Sequence, residues 1–468
     1  MFRSLMMALA AAALPAIASA APQPGEAQFR SLYEELVETN TTFSAGSCTL
    51  AAERMAARLK SAGFPDSDLK LLVPPDHPKD GNLVAVYPGT DPKAKAVLLL
   101  AHIDVVEAKR EDWTRDPFTL IEEGGYFYGR GASDDKAQAA IFTDLLIRLR
   151  SEGYKPRRPI KLALTCGEEG GGQVNGASWL AENHPDLIAA AFALNEGAGG
   201  ALDASGKRVA HTIEAGEKTS VHFRLEVTNP GGHSSRPVPD NAIYHLVRAV
   251  DRISRYEFPV QLNDTTRGYF TKMAKIEGGE RGAAMTAIVA NPEDKAAYAV
   301  LARDANDHAV LGTTCVATRL DAGHANNALP QRATATINCR IFPGVETETV
   351  RQTLVRLADD PKVAVTLLGG RSRPAVAPPP LTPEVMGPIE KVSAAMWPGV
   401  PVVPILQAAG TDAPSLNAIG IPTYGVSGLF FEPDLGHIHG LNERIGVTSL
   451  LEGREFSYRL VKLYTGGK

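Results

Sequence analysis

Three apolar runs punctuate the first half of the chain, at 96–101, 160–165 and 189–194, the first and third unbroken and the second interrupted by Lys161. Runs of that length suit strands buried on both faces, the habit of a parallel sheet covered by helices. Segment 82–87 alternates and predicts one more strand. Segments 29–37, 49–62 and 136–149 instead carry apolar residues at helical spacing, the second stopping at Gly63 and the third near Gly153. Strands alternating with helices predict an α/β domain with a mostly parallel central sheet flanked by helices.

Near residue 216 the texture changes. Val221, Phe223, Leu225 and Val227 alternate with polar neighbours, which predicts a strand over 220–228 with one wet face. Segment 241–253 has helical spacing. Segments 313–320 and 332–342 alternate again around a Gly/Asn turn region, followed by a helix at 346–357 and a short strand at 362–367. That β-α-β-β-α-β order predicts a ferredoxin-like α+β sandwich. After a Pro-rich linker at 371–380 the α/β texture returns. The expected plan is one α/β domain in two parts, 26–216 and 371–468, interrupted by an inserted domain at 217–370. No internal repeat stands out.

Composition narrows the function classes. The chain has 468 residues, 44% hydrophobic and 22% charged, which is enough apolar material for sizeable cores and excludes disorder over most of its length. A net charge of −5 supplies no basic excess, so nucleic acid is not an expected partner. With 43 Gly and 33 Pro the chain is loop-rich yet far from low-complexity, as suits an enzyme.

The N-terminus reads as an export signal. Arg3 supplies a positive charge, 5–17 is apolar, and Ala18-Ser19-Ala20 is a small-residue cleavage site. The apolar run is short against the ~20 residues of a spanning helix and Pro15 interrupts it. Cleavage after Ala20, residues 1–20 as signal peptide, a periplasmic or secreted location and no stable membrane span in the mature chain are the expectations.

Candidate chemistry gathers where buried strands should end. Ala101-His102-Ile103-Asp104 follows the first run, and His102 with Asp104 two residues on suits a metal ligand beside its orienting carboxylate. Asp134-Asp135, in a Gly-rich entry to the 136–149 helix, is a pair of adjacent carboxylates that repel unless a cation or helix N-terminus compensates. Glu168-Glu169 follows the second run, and such a pair can divide into a metal ligand and a proton acceptor. Glu196 ends the third run, and His437 and His439 lie near the C-terminus. Taken singly, each motif reads more simply as a surface turn, a helix cap, a solvated acidic loop or a core histidine. Together they stand where ligands bind in open parallel sheets, and two imidazoles with three or more carboxylates suit a pair of zinc ions.

With these motifs in order, the chain resembles the di-zinc exopeptidase and amidohydrolase family of bacterial glutamate carboxypeptidase, carnosinase-like dipeptidases and aminoacylase. The matching residues are His102-Ile103-Asp104, Gly129-Arg130-Gly131 with Asp134-Asp135-Lys136, Glu168-Glu169, Asn195-Glu196-Gly197 and His439-Gly440 with Asn442-Glu443. Gly231-Gly232-His233-Ser234-Ser235, Asn327-Ala328-Leu329-Pro330 and Arg340 resemble the family's lid domain, and Gly410-Thr411-Asp412-Ala413 its substrate loop. The resemblance spans about residues 26–465.

It implies two Zn2+ per chain, with Co2+ or Mn2+ as substitutes. His102, Asp134 and Glu196 would hold one ion, and Asp134, Glu169 and His439 the other, with Asp134 bridging and a cis peptide after it. His437 competes with His439 for the ligand role; His439 is preferred because Gly-x-Asn-Glu follows it. Asp104 would support His102. Glu168 would be the general base that takes a proton from a metal-bridging water and delivers it to the leaving amine. His233 and Asn327 would stabilise the oxyanion or grip substrate, and Arg340 would pair with the substrate's free carboxylate, with Gly410 and Thr411 beside it. Residues 254–312 exceed a minimal lid, as in the larger-lid carboxypeptidase and dipeptidase branch, and a homodimer through the inserted domain is possible.

The first expectation is therefore an exported carboxypeptidase or dipeptidase that cleaves the amide bond next to a C-terminal amino acid. The alternative is an aminoacylase-like N-acyl-amino-acid amidohydrolase, whose substrate would want an apolar pocket. A receptor-like relative without metals is disfavoured by the complete ligand set and Glu168. Four cysteines are too few for a disulfide scaffold. Cys315 and Cys339 are equidistant from Asn327 and could face each other across a hairpin, but buried free thiols are the stronger expectation.

Overall fold

The computed structural model describes residues 23–369 and 376–467, so the signal segment 1–20 and the first half of the linker lie outside the described residues. The apolar runs form the strands Val97–His102, Ile160–Thr165 and Phe192–Asn195. Val97–His102 lies between the other two, parallel to both, and Thr423–Gly425 continues the parallel set beyond Phe192–Asn195. Every residue of Val97–His102 is buried, as its unbroken apolar character requires. Antiparallel Asn82–Tyr87 and Leu69–Leu72 extend one side. On the other, Arg208–Glu217 carries Val402–Gln407 in parallel and Gly200–Leu202 antiparallel. The result is a ten-stranded mixed sheet with a parallel middle.

Helices cover both faces. Glu26–Glu38, Cys48–Ser61, Lys136–Ser151 and Val447–Thr465 bury Phe29, Leu36, Met55, Phe142, Leu146, Phe456 and Leu460 in the main core. Gly176–Asn183 and Ala413–Ala418 bury Leu180 and Leu416 on the opposite face. The third strand begins three residues later than the apolar run, because Pro185 opens a short helix, Pro185–Ile188, that uses the chain just before it.

A separate four-stranded antiparallel sheet contains Thr219–Thr228, Thr314–Ala322, Arg332–Ile341 and Ala364–Leu367. Numbered along the chain, these stand in the order 2-3-1-4, the ferredoxin-like arrangement the pattern predicts. Ala242–Ser254 and Thr347–Ala358 close a second core around Phe223, Leu225, Leu246, Ile337 and Leu354. Between the helix Ala242–Ser254 and the strand Thr314–Ala322 stands a segment whose elements the sequence pattern did not reveal. It folds as the helices Asp264–Glu277, Gly279–Ala290, Lys295–Leu301 and Ala305–Val310 around Phe270, Met285, Ile288 and Leu301. Two of these helices are only 7 and 6 residues long, too short for a period to register.

The cysteine expectation is corrected. Cys315 and Cys339 are register partners on adjacent strands and form a disulfide, and Cys48 and Cys166 form another across 118 residues of sequence. The second pair joins the start of Cys48–Ser61 to the end of Ile160–Thr165, a proximity set by tertiary packing alone. Among the described residues no helix is long and apolar enough to cross a membrane.

Candidate active site

Strands that run parallel deliver their carboxyl ends to one edge of the sheet. His102 is the last residue of its strand, Glu168 and Glu169 follow Ile160–Thr165 by a tight turn at Gly167, and Glu196 follows Phe192–Asn195 directly. Asp134 stands just before the helix Lys136–Ser151, joined to Asp135 by a cis peptide as the resemblance implies. His439 comes from a loop in which Leu435, His437, His439 and Asn442 all hold positive φ.

These side chains converge. Buried His102 donates from Nδ1 to the backbone carbonyl of Asp104 at 3.1 Å, which leaves Nε2 facing Asp134 Oδ1 at 3.0 Å and Glu196 Oε2 at 3.7 Å. His439 Nε2 faces Asp134 Oδ2 at 3.1 Å and Glu169 Oε1 at 2.8 Å. Each oxygen of Asp134 therefore addresses a different imidazole, and each imidazole addresses a second carboxylate. Glu168 joins His102 and Glu196 in a group whose candidate ligand atoms lie within 4.8 Å of one another. Asp104 lies 3.5 Å through Oδ1 from His102 Nδ1, and its Oδ2 accepts from the Glu169 backbone N–H at 3.0 Å. His437 turns away, toward Leu441 and Asp434.

The electrostatics match a cation site. Burial, reinforced by Glu196, Asp412 and Glu169 against the opposing pull of His102, pushes Glu168 up to about 9. Burial likewise raises Glu196 to about 7. Burial opposes ionisation of Asp134, but the two imidazoles win and hold it well below the usual carboxylate range. Hydrogen bonds donated to Asp134 and Glu169 push His439 up to about 10. Nitrogen and oxygen donors with crowded negative charge and an Asp placed between two imidazoles fit a pair of divalent metals of the zinc type. Cys48, Cys166 and Asp104 also cluster, but both sulfurs are tied up in the disulfide and offer no thiolate.

Gly410 and Thr411 line the same cavity of about 650 Å3 as the carboxylates. Sequence reasoning missed what holds them there. Glu217 accepts from the Thr411 backbone N–H at 2.9 Å and from its hydroxyl at 2.8 Å, and Asp412 accepts from Asn175 and Thr165. Glu217 ends a strand with no motif around it, so nothing in the sequence marks it. His233 and Asn327 sit exposed on or beside the ribbon Gly232–His233/Ala328–Leu329 and do not line this cavity. Arg340 is half-buried on Arg332–Ile341, opposite Ser220 and Thr314, and does not line it either. The structure thus brings together the expected ligands, Glu168 and the substrate loop, and leaves the three inserted-domain residues apart from them.

The sequence profile of peptidase family M20/M25/M40 matches residues 98–463. The chain belongs to this family. Among its relatives, the N-fatty-acyl-amino acid synthase/hydrolase PM20D1 of Mus musculus is 29% identical over 383 residues, covering 80% of this chain and 75% of that protein. Aminoacylase-1 of Mus musculus is 27% identical over 386 residues, covering 82% and 81%. Among solved structures, the M20 family metallo-carboxypeptidase Sso-CP2 from Sulfolobus solfataricus superposes with a TM-score of 0.69 at 18% identity, covering 94% of this chain and 99% of that one. Human carnosine dipeptidase 1 gives 0.62 at 16% identity, covering 94% and 97%. As a member of this M20 family the chain is a metal-dependent hydrolase of the metallopeptidase and amidohydrolase type, built on the mixed α/β fold of its neighbours.

Proposed function

We propose that this M20 hydrolase releases a C-terminal amino acid from an N-acyl amino acid whose acyl group is apolar. The observation that carries this choice is the wall of the catalytic cavity. Beyond the carboxylates its apolar side is built from Ala201, Leu202, Ile405, Leu429, Phe431 and Ile438, with Gln138, Thr212, Gln407 and Ser427 among them. Such a wall rewards an aliphatic group and offers little to a charged one. The curated relatives that act on N-fatty-acyl amino acids, by their names, agree with it.

In this reading His102, Asp134, Glu196, Glu169 and His439 would hold two zinc ions. When bound, the metals supply Lewis acidity that polarises the scissile carbonyl and acidifies the attacking water. Glu168, with its raised proton affinity, takes a proton from that water as oxygen adds to the carbonyl carbon, then passes it to the nitrogen as the C–N bond breaks. Asp104 steadies the site from behind through His102 and the Glu169 backbone. Arg340 reads the free carboxylate of the departing amino acid, a paired geometry natural to a guanidinium. A second cavity of about 370 Å3, lined by Lys218 and Ser220, shares Gly410 with the catalytic one, and the Arg340 charge adds to burial in holding Lys218 down to about 7. An anion is the natural companion for two crowded cations.

His233 and Asn327 complete the site by movement of the inserted domain or from a second copy. A homodimer is supported by the open edge Thr314–Ala322, where Val316 and Leu320 are about 60% exposed, and by the exposed Tyr244 and Val247 of the helix Ala242–Ser254. Two disulfides and the signal-like N-terminus support export.

A dipeptide substrate is the second reading. It is favoured by Glu432, at the cavity rim, which accepts from the Tyr126 hydroxyl at 2.9 Å and offers a carboxylate to a free ammonium group. Initial rates on matched N-acyl amino acids and apolar dipeptides with zinc-loaded enzyme decide between them. Higher kcat/KM on N-acyl substrates is expected, and a clear preference for dipeptides would overturn the choice.

A further inference from the structure

The catalytic cavity has a neighbour. A smaller cavity of about 210 Å3 lies beside Val402–Gln407, walled by Thr266 and Tyr269 of the helix Asp264–Glu277 and by Ala309 and Val310. Ile405 and Gln407 line both cavities. Two residues apart on one strand, they face the same side and form the threshold between the two spaces. Among the described residues Val402–Gln407 pairs with no strand other than Arg208–Glu217, so its other edge would be open. The helical segment covers that edge. Lys272 Nζ donates to the Val402 carbonyl at 2.7 Å, and the helix passes so close at Gly268 that a Cβ there would lie 2.8 Å from Pro404 Cγ.

Inside the exposed Asn306 at its rim, the polar side chains that line the smaller cavity are engaged within the protein. The Thr266 hydroxyl donates to Asn263, the Tyr269 hydroxyl to Asp307 at 3.2 Å, and Gln407 Nε2 to the Gly197 carbonyl at 2.9 Å. The Ala309 carbonyl accepts from Lys218 Nζ at 2.6 Å. What remains for a guest is methyl and methylene surface. A peptide extension would bring amide groups without partners, at a desolvation cost; a hydrocarbon chain would not.

We propose that residues 264–310 form the far wall of a subsite for the distal part of a long aliphatic acyl chain, which runs from the scissile amide past Ile405 and Gln407 into this smaller cavity. This rests on the N-acyl reading above and adds chain length to it.

The test measures kcat/KM for N-acetyl, N-octanoyl, N-dodecanoyl and N-hexadecanoyl forms of one amino acid. The proteins are the zinc-loaded full chain, Ala309→Phe, which fills the cavity, and Asn306→Trp, which crowds its exposed rim. The unaltered chain should gain about threefold or more per methylene over part of the series. Both variants should lose tenfold or more on the two longest substrates and stay within twofold on the acetyl form. Competition by dodecanoate should weaken in parallel. If Ala309→Phe fails to fold by circular dichroism, Asn306→Trp decides alone. Identical chain-length profiles in all proteins, or an equal loss at every length, overturn the subsite while leaving the N-acyl reading intact. Cleavage of apolar dipeptides with no N-acyl hydrolysis at any length overturns both.

Discussion

The carboxylate of Glu443 accepts a hydrogen bond from the backbone N–H of Asp134 at 3.0 Å, across 309 residues of sequence. It also accepts from the Ser133 and Gly131 backbones at 2.8 and 3.0 Å and from Arg130 Nη1 at 2.8 Å. One buried acid therefore organises the turn that presents Asp134. Because Glu443 follows His439 by four residues, the same acid ties the loops of two candidate ligands together.

Glu443→Gln should loosen that tie, since an amide brings an N–H where the turn supplies only donors. Zinc affinity, measured by competition with a chelator, should fall by about 10- to 100-fold, the usual cost of losing support behind a ligand. Activity should return at saturating zinc. Unchanged zinc affinity would mean that the turn holds its shape without Glu443.

Glu168→Gln tests the base. The amide keeps the shape but cannot accept the proton, so turnover should fall by about 10² or more while metal content by elemental analysis stays near that of the parent. Retention of more than a tenth of the activity would assign the proton transfer elsewhere.

Much of this site was legible before any coordinates. His102, Asp134, Glu169 and Glu196 sit at strand ends or at a helix start, where hydrophobic period and punctuation mark the position, whereas His439 lies in a loop and was marked only by the Gly-x-Asn-Glu that follows it. The ferredoxin-like sheet was legible for the same reason, since Val221 to Val227 and Ala333 to Ile341 alternate without interruption. What escaped depends on contacts between distant segments. Cys48 meets Cys166, and Glu217 meets Thr411, only because the sheet brings them together, and neither leaves a local trace. Two of the four helices of residues 264–310 escaped because, at 7 and 6 residues, they are too short to carry a period, and Gly279–Ala290 because its small residues blur one. Arg340 shows a different limit. Its place on the polar face follows from alternation, yet its distance from the catalytic cavity depends on how the two sheets are set against each other.

Arg340→Ala should act selectively. Loss of a paired charged contact costs about 2–5 kcal/mol, or roughly 30-fold to several thousandfold in kcat/KM. The loss should fall on substrates with a free carboxylate, while C-terminally amidated analogues, already poor, change little. His233→Ala should slow both classes alike, because an oxyanion forms whatever the substrate's terminus. Equal losses on both classes for Arg340→Ala would give Arg340 a structural role only.

His211, which does not itself line the catalytic cavity, should set part of the acid limit of stability. It lies fully buried on Arg208–Glu217, with Nδ1 bonded to the Ser393 hydroxyl at 2.8 Å and its ring against Trp397, Phe430 and Phe456. Among the described residues Nε2 has no partner, so a charged imidazole would be stranded among aromatic rings. Burial accordingly holds its pKa down to about 3. In the unfolded chain a histidine binds its proton at about 6.5. Between those values the unfolded state carries the extra proton, so the group adds stability that rises with pH and is lost on acidification. The slope approaches about 1.4 kcal/mol per pH unit. Urea unfolding at pH 7, 6, 5 and 4.5 should therefore show a steeper decline for the parent than for His211→Phe, which keeps an aromatic ring there and cannot titrate. The substitution also leaves the buried Ser393 hydroxyl without its partner, which lowers stability by about 1–3 kcal/mol at every pH. The slope, and not the absolute stability, is the quantity to compare. Parallel pH profiles would mean that His211 becomes protonated in the folded chain without difficulty.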